Sequence, residues 1–281
     1  MKFKHSIWSS YFNEITIEET VERLTAAGFE YAELSTYHTT MLIARDQDHE
    51  KTGLSLRNYL SDKGFTISQG HLNFKKGLCN REMVEDIKRE LDLYLGIGIQ
   101  NAVIHLNGGN DLDEQQRFEC RVQALSELTQ HIKGTPLRLC IENLGSVPET
   151  HTVDRIRKFI DAVGSDQLKI CLDTGHLHLV NGRGEAQLSQ GEFIRQAGKD
   201  LCAMHITNNS GGGDDHLMPF SSRYGIDWKD VILALKEIEY DGLFNLEILG
   251  ENKAPLPILE AKLSYIYKMV HYMTSEEFLN S

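Results

Sequence analysis

Apolar residues along this chain switch between two spacings, and the switches divide it into eight similar units. Short apolar runs with a strand character occupy residues 3–8, 29–34, 65–71, 102–105, 137–142, 170–173, 201–206 and 243–248. Between them, apolar residues return every three or four positions. Val84, Ile87, Leu91 and Leu95 within 81–95 are the plainest case, and this is the period of a helix face packed on a core. Thr16 and Glu19 read as a capping box opening a helix to about Ala27. Further helices are expected over about 54–63, 113–132 and 152–163, after the cap residue Asp227, and over 257–273.

The punctuation is as regular as the pattern. Gly28, Gly64, Gly98, Gly134, Gly164, Gly198 and Gly242 each follow a helix-like stretch and precede a strand-like one, where a left-handed helix cap needs a residue without Cβ. Eight strand-then-helix units in 281 residues fit an α/β fold, a (β/α)8 TIM barrel forming a single domain over 1–281. A doubly wound open sheet with an appended domain is the alternative architecture. No Pro-, Gly- or Ser-rich linker marks a boundary.

Composition narrows the setting. With 29 Lys and Arg against 41 Asp and Glu, the formal charge of −12 disfavours capture of nucleic acid by the field of the whole chain. No apolar run reaches the roughly 18 residues of a membrane span, and the first residues lack a signal-peptide pattern. The five cysteines show no C-x-x-C spacing and are expected as reduced core residues, which would suit a cytoplasmic location. Residues 265–278 could cover the barrel or meet a second copy of the chain, making a homo-oligomer an open expectation.

Barrel enzymes work at the C-terminal ends of their strands, and those ends are unusual here. They carry Glu33, His71, His105, Glu142, Asp173 with His176, His205 and Glu247. A lone strand-end histidine or glutamate has an ordinary structural explanation. Seven of eight strands finishing this way would crowd like charges into one mouth, and a cation is the simplest remedy. Oxygen ligands from Glu142, Asp173 and Glu247 with one imidazole from His205 suit Mn²⁺, Mg²⁺ or Co²⁺, and additional histidines would shift the preference to Zn²⁺.

These residues resemble the xylose isomerase-like barrel superfamily, which joins sugar isomerases and epimerases with apurinic-site endonucleases. The resemblance spans nearly the whole chain and rests on the segments 28–34, 141–143, 171–176, 204–209, 214–216 and 225–228 with Glu247. It implies one divalent ion, Mn²⁺ foremost, held by Glu142, Asp173, His205 and Glu247. Glu142 and Glu247 would be the catalytic pair, moving a proton next to a carbonyl through a metal-stabilised enediolate. His176, His71, His105 and His216 would contact a small carbohydrate substrate.

The endonuclease branch implies something different of the same residues. Its three-zinc site would add Asp214, His216, His71, His105 and His176 as metal ligands, and all of these positions are filled. The acidic charge and the lack of a basic run in 35–50 or 73–80 weigh against a DNA substrate. Two departures weigh against a free-ketohexose 3-epimerase. The loop 217–224 lacks the family's Pro-Gly-x-Gly character, and Gly211 stands where those enzymes place an arginine. A sugar isomerase or epimerase acting on a sugar, keto-sugar or sugar derivative is therefore the leading expectation. A dehydratase or lyase on the same site, the zinc-dependent endonuclease, and a sugar-binding subunit on a retired barrel are the alternatives.

Overall fold

The structure is a computed structural model that describes residues 2–222, 225–251 and 254–281. Arg223 and Tyr224 of the 217–224 loop lie outside the described residues. Eight strands form one sheet: β1 Lys4–Trp8, β2 Tyr31–Leu34, β3 Thr66–His71, β4 Asn101–Ile104, β5 Arg138–Glu142, β6 Leu168–Asp173, β7 Leu201–His205 and β8 Leu243–Leu246. Their order is β7-β6-β5-β4-β3-β2-β1-β8, and each strand runs parallel to its neighbours. Just past β7, a parallel bridge between Ile206 and Leu246 draws the two edges together. There the Ile206 N–H donates to Asn245 O at 2.7 Å and the Glu247 N–H to Ile206 O at 3.2 Å. The sheet is a TIM barrel, as the eight-unit pattern predicts.

The expected helices form, with ends that follow their caps. They are α1 Ile17–Ala27, α3 His49–Asp62, α4 Arg81–Ile97, α5 Glu114–His131, α6 Val153–Val163, α9 Trp228–Glu237 and α10 Leu256–Met273. Thr16 and Glu19 complete their capping box, and Asp227 accepts from the Asp230 N–H. The inner face of α6 shows how the pattern works: Val153, Ile156 and Phe159 are buried while Asp154, Arg155 and Lys158 are exposed. Burying a side chain of Phe159's size stabilises the fold by about 1.5–3 kcal/mol.

Four helices lie outside those expected from the sequence, α2 Thr36–Ile43, α7 Thr174–Gly182, α8 Gln190–Ala197 and α11 Glu276–Asn280, although α8 opens on a Ser189–Glu192 capping box that the apolar pattern alone passes over. In α7 the apolar residues Leu177, Leu179 and Val180 are all buried, so no polar stripe marks a helical period. It also starts directly from β6, with no loop to separate them. The glycine joints need one amendment. Six of the seven sit at positive φ, but Gly242 does not. Its constraint is space, because a Cβ there would stand 2.4 Å from the Tyr240 hydroxyl and 2.8 Å from Cys202 O.

The cysteine expectation is corrected. Cys79 and Cys120 form a disulfide with Cα atoms 5.6 Å apart, and only Cys140, Cys171 and Cys202 are free and buried. The pair is 41 residues apart in sequence and meets because the segment after β3 folds beside α5, so no short spacing could reveal it. Five reduced thiols therefore no longer argue for a reducing compartment. Among the described residues, no helix is long and apolar enough to cross a membrane.

Helices α3 and α4 touch backbone to backbone. An added Cβ on Gly96 would lie 2.2 Å from Glu50 O, and one on Gly53 would lie 2.3 Å from Leu93 O. Gly96→Ala is expected to force the two helices apart and lower stability by about 1–3 kcal/mol. A urea midpoint that falls with an unchanged slope would bear this out, and an unmoved midpoint would contradict it.

Candidate metal centre

The barrel delivers its polar residues to one end because each strand finishes there. Glu142 ends β5, Asp173 ends β6 and His205 ends β7, while His105 and Glu247 follow β4 and β8 directly. All but His105, which is partly buried, lie within the protein's interior. Asp173 has a double role. Its Oδ1 caps α7 by accepting the His176 N–H at 2.6 Å, and the same turn brings the His176 ring back over the mouth.

Glu142, Asp173, His205 and Glu247 each offer a ligand atom, and these atoms lie within 4.8 Å of one another. His205 Nδ1 is 3.3 Å from Glu142, 3.2 Å from Glu247 and 4.0 Å from Asp173 Oδ2. Asp173 Oδ2 and His205 Nδ1 are both buried without a hydrogen-bond partner. Two orphaned buried atoms facing each other between two more carboxylates fit a divalent cation, since leaving such groups unpaired costs several kcal/mol. The donor set, three carboxylates and one imidazole, is the one Mn²⁺, Mg²⁺, Co²⁺ or Zn²⁺ accepts.

The remaining expected residues surround this group. His105 Nε2 stands 2.8 Å from Glu142 Oε2 and His71 Nε2 stands 3.6 Å from it. His71 presents that nitrogen because its Nδ1–H donates to Leu72 O at 2.9 Å. On the other side His176 Nδ1 is 3.1 Å from Glu142 Oε1, and its Nε2 is 3.1 Å from Asp214. His216 Nε2 is 3.4 Å from the same Asp214 oxygen, and its Nδ1 is 3.7 Å from Glu247. Nine of the ten residues singled out in the sequence meet in one mouth. Glu33 is the exception among the strand ends: it is fully buried and faces the barrel interior behind His205.

The cavity above these groups has a volume of about 460 Å³. Its walls include residues that the titratable pattern passes over. Trp8, at the end of β1, stacks on His216 at 6.2 Å, and Phe74 stacks on His105 at 4.4 Å. Asn107, Leu144, Ser146 and Arg183 also line the cavity. Trp8 ends β1, so the strand-end rule places it at the mouth although it carries no titratable group.

Protons do part of a cation's work here. Burial alone would lower His205, yet the charges of Glu247 and Glu33 hold it well above its ordinary value. Burial pushes Glu142 up, but His205 and His105 outweigh it and keep it well below the usual carboxylate range. Burial lifts Glu247 to about 7 against the pull of His205 and His216.

The family model described as "Xylose isomerase-like TIM barrel" matches residues 21–269. A D-psicose 3-epimerase from Enterocloster bolteae is 24% identical over 264 residues, covering 87% of this chain and 81% of that protein. An uncharacterized protein from Sinorhizobium fredii is 27% identical over 169 residues, and there the match spans only 52% of the relative's length. Among solved structures, a D-psicose 3-epimerase in the presence of D-fructose superposes with a TM-score of 0.77 at 18% identity, covering 97% of this chain and 99% of that one. The IOLI protein with a bound zinc atom gives 0.76 at 17% identity, covering 98% and 99%.

A cation entering this centre must displace protons from His205 and Glu247. Metal uptake at pH 7 is therefore expected to release protons, and affinity is expected to rise with pH, through about 7 for Glu247 and beyond for His205. Calorimetric titration of Mn²⁺ or Zn²⁺ in buffers of differing ionisation enthalpy measures this. Heats that do not vary with the buffer would count against it. At a metal concentration about 100 times Kd the chain should gain about 2.7 kcal/mol of stability, lost again with EDTA.

Proposed function

The chain belongs to the xylose isomerase-like TIM barrel family, and from that premise we propose that it is a divalent-metal-dependent isomerase or epimerase of a sugar, keto-sugar or sugar derivative. The observation that carries the reading is the orphaned pair Asp173 Oδ2 and His205 Nδ1, framed by Glu142 and Glu247 under an open cavity. The 3-epimerase activity of its relatives supports the substrate class.

Glu142, Asp173, His205 and Glu247 would hold the ion, with Mn²⁺ as the leading candidate. When bound, it would polarise the substrate's carbonyl and make the proton on the adjacent carbon more acidic. The rest falls to the side chains. Glu142 and Glu247 both line the cavity, so one can take the proton and the other can return it. Transfer across opposite faces epimerises and transfer on one face isomerises. His71, His105, His176 and His216 also line the cavity and would hydrogen-bond the sugar hydroxyls. Trp8 and Phe74 supply apolar faces against which a carbohydrate's C–H groups pack. Elimination of water next to the same carbonyl would use the same pair of carboxylates.

One observation favours a second reading, a zinc-dependent apurinic-site endonuclease. Around Glu142 the fold assembles two groups, His71–His105–Glu142 and Glu142–Asp173–His205–Glu247, and His176–Asp214–His216 forms a third beside them. The net charge of −12 opposes it. So does the internal pairing of the third group, in which both imidazoles already neutralise Asp214.

Two measurements separate the readings. With Mn²⁺, Mg²⁺ or Co²⁺ in D₂O, keto-sugars and sugar phosphates should gain solvent deuterium. Glu142→Gln and Glu247→Gln should each lower turnover by about 10²–10⁴-fold while the fold persists. A broad substrate panel without exchange or conversion would sink the isomerase reading. Metal analysis of the purified chain should give about one ion per molecule, whereas about three zinc ions with salt-sensitive cleavage of abasic duplex would favour the nuclease.

A further inference from the structure

His205 is buried on all sides and its imidazole has two chemically different edges. Nδ1 faces Glu142, Glu247 and Asp173. Nε2 lies 3.1 Å from the carboxylate of Glu33, which comes from β2 and does not line the cavity. Glu33 is fully buried and is supplied with donors from three directions. Gln69 Nε2 donates to it at 2.9 Å, Asn245 Nδ2 donates to it, and His205 Nε2 is the third. The orientation of Asn245 is itself fixed, because its Oδ1 accepts from the Ser6 hydroxyl at 2.8 Å. The face of the His205 ring is covered by His71, stacked at 5.5 Å and 13°.

We propose that Glu33 is a positioning residue of the metal centre: a carboxylate behind His205 that holds the Nε2–H and thereby aims Nδ1 at the ligand carboxylates. The proposal rests on the reading of His205 as a metal ligand and adds a residue that touches neither metal nor substrate. An imidazole is rigid, so fixing one edge fixes the direction of the other. A ring rotated by half a turn would place carbon where the lone pair is needed. The carboxylate also makes the imidazole a better donor, since negative charge on the far side raises ligand basicity. Ser6, Gln69 and Asn245, on β1, β3 and β8, extend the support to three further strands. Position and chemistry of the ligand are thus set by the barrel wall and not by a mobile loop.

A core polar cluster of purely structural value would show the same hydrogen bonds but a different response to substitution. Glu33→Gln removes the charge at nearly constant volume. The Kd for Zn²⁺ or Mn²⁺, measured by calorimetry on the full chain, is expected to rise about 10–100-fold. In the Zn²⁺-loaded protein the His205 Nε2–H proton resonance is expected far downfield and should move upfield in the variant. Glu33→Asp keeps the charge with a shorter reach, and its affinity should fall between wild type and the Gln variant. A Gln variant that binds metal as tightly as wild type overturns the proposal. If that variant does not fold, an Asp variant with wild-type affinity and an unmoved proton resonance overturns it. Wild type that binds no divalent ion would instead remove the underlying reading of the site, an outcome distinct from either.

Discussion

The structure turns on the burial of negative charge. Glu33, Glu142, Asp173 and Glu247 are all nearly inaccessible at one end of the barrel, where an uncompensated carboxylate costs several kcal/mol. Compensation comes from imidazoles on neighbouring elements: His105 past β4 and His176 in the first turn of α7 serve Glu142, and His205 on β7 stands between Glu33 and Glu247. Such an arrangement is tenable only if every strand keeps its register, because a one-residue slip turns a side chain to the opposite face. The parallel ladders and the Ile206–Leu246 bridge supply that register. The apolar faces of the surrounding helices keep water from relaxing it.

Much of this was legible because a barrel converts sequence position into spatial position. Residues at the ends of strands must meet, so Glu142, Asp173, His205 and Glu247 could be grouped without knowing a single distance. The helical period at Val84, Ile87, Leu91 and Leu95 located α4 for the same reason: the core faces one side only. Where burial is uniform, the signal disappears. Leu177, Leu179 and Val180 of α7 are buried together, and no alternation betrays the helix. The Cys79–Cys120 bridge and the inward placement of Glu33 depend on how a loop folds back and on which face of β2 a side chain takes. Neither is written in local spacing.

The same geometry ranks the groups that could hold ions. In the outer group Asp214 is paired with His176 at 3.1 Å and His216 at 3.4 Å, and its carboxyl lies far below the usual range because those imidazoles outweigh its burial. Glu142 and His105 likewise satisfy one another at 2.8 Å. Both arrangements close on themselves, with a proton shared where a metal would otherwise sit. The inner group does not close. Asp173 Oδ2 has no donor, and His205 Nδ1 sits among three carboxylates without a hydrogen bond to any of them.

An ion in the inner group would relieve two orphaned atoms in exchange for the protons it displaces, whereas ions in the outer groups would break contacts already made without relieving any orphaned atom there. The free energy of binding differs accordingly, since a displaced hydrogen bond to a charged group is worth about 1.5–3 kcal/mol. A chain with all nine residues in place can still favour occupancy of one site. The count of titratable residues in the mouth is thus a poor guide to the number of ions, and the state of their hydrogen bonds is a better one. On that criterion the group built on Asp173 and His205 is the one best suited to a divalent ion, whereas the outer imidazoles already hold partners beside the cavity.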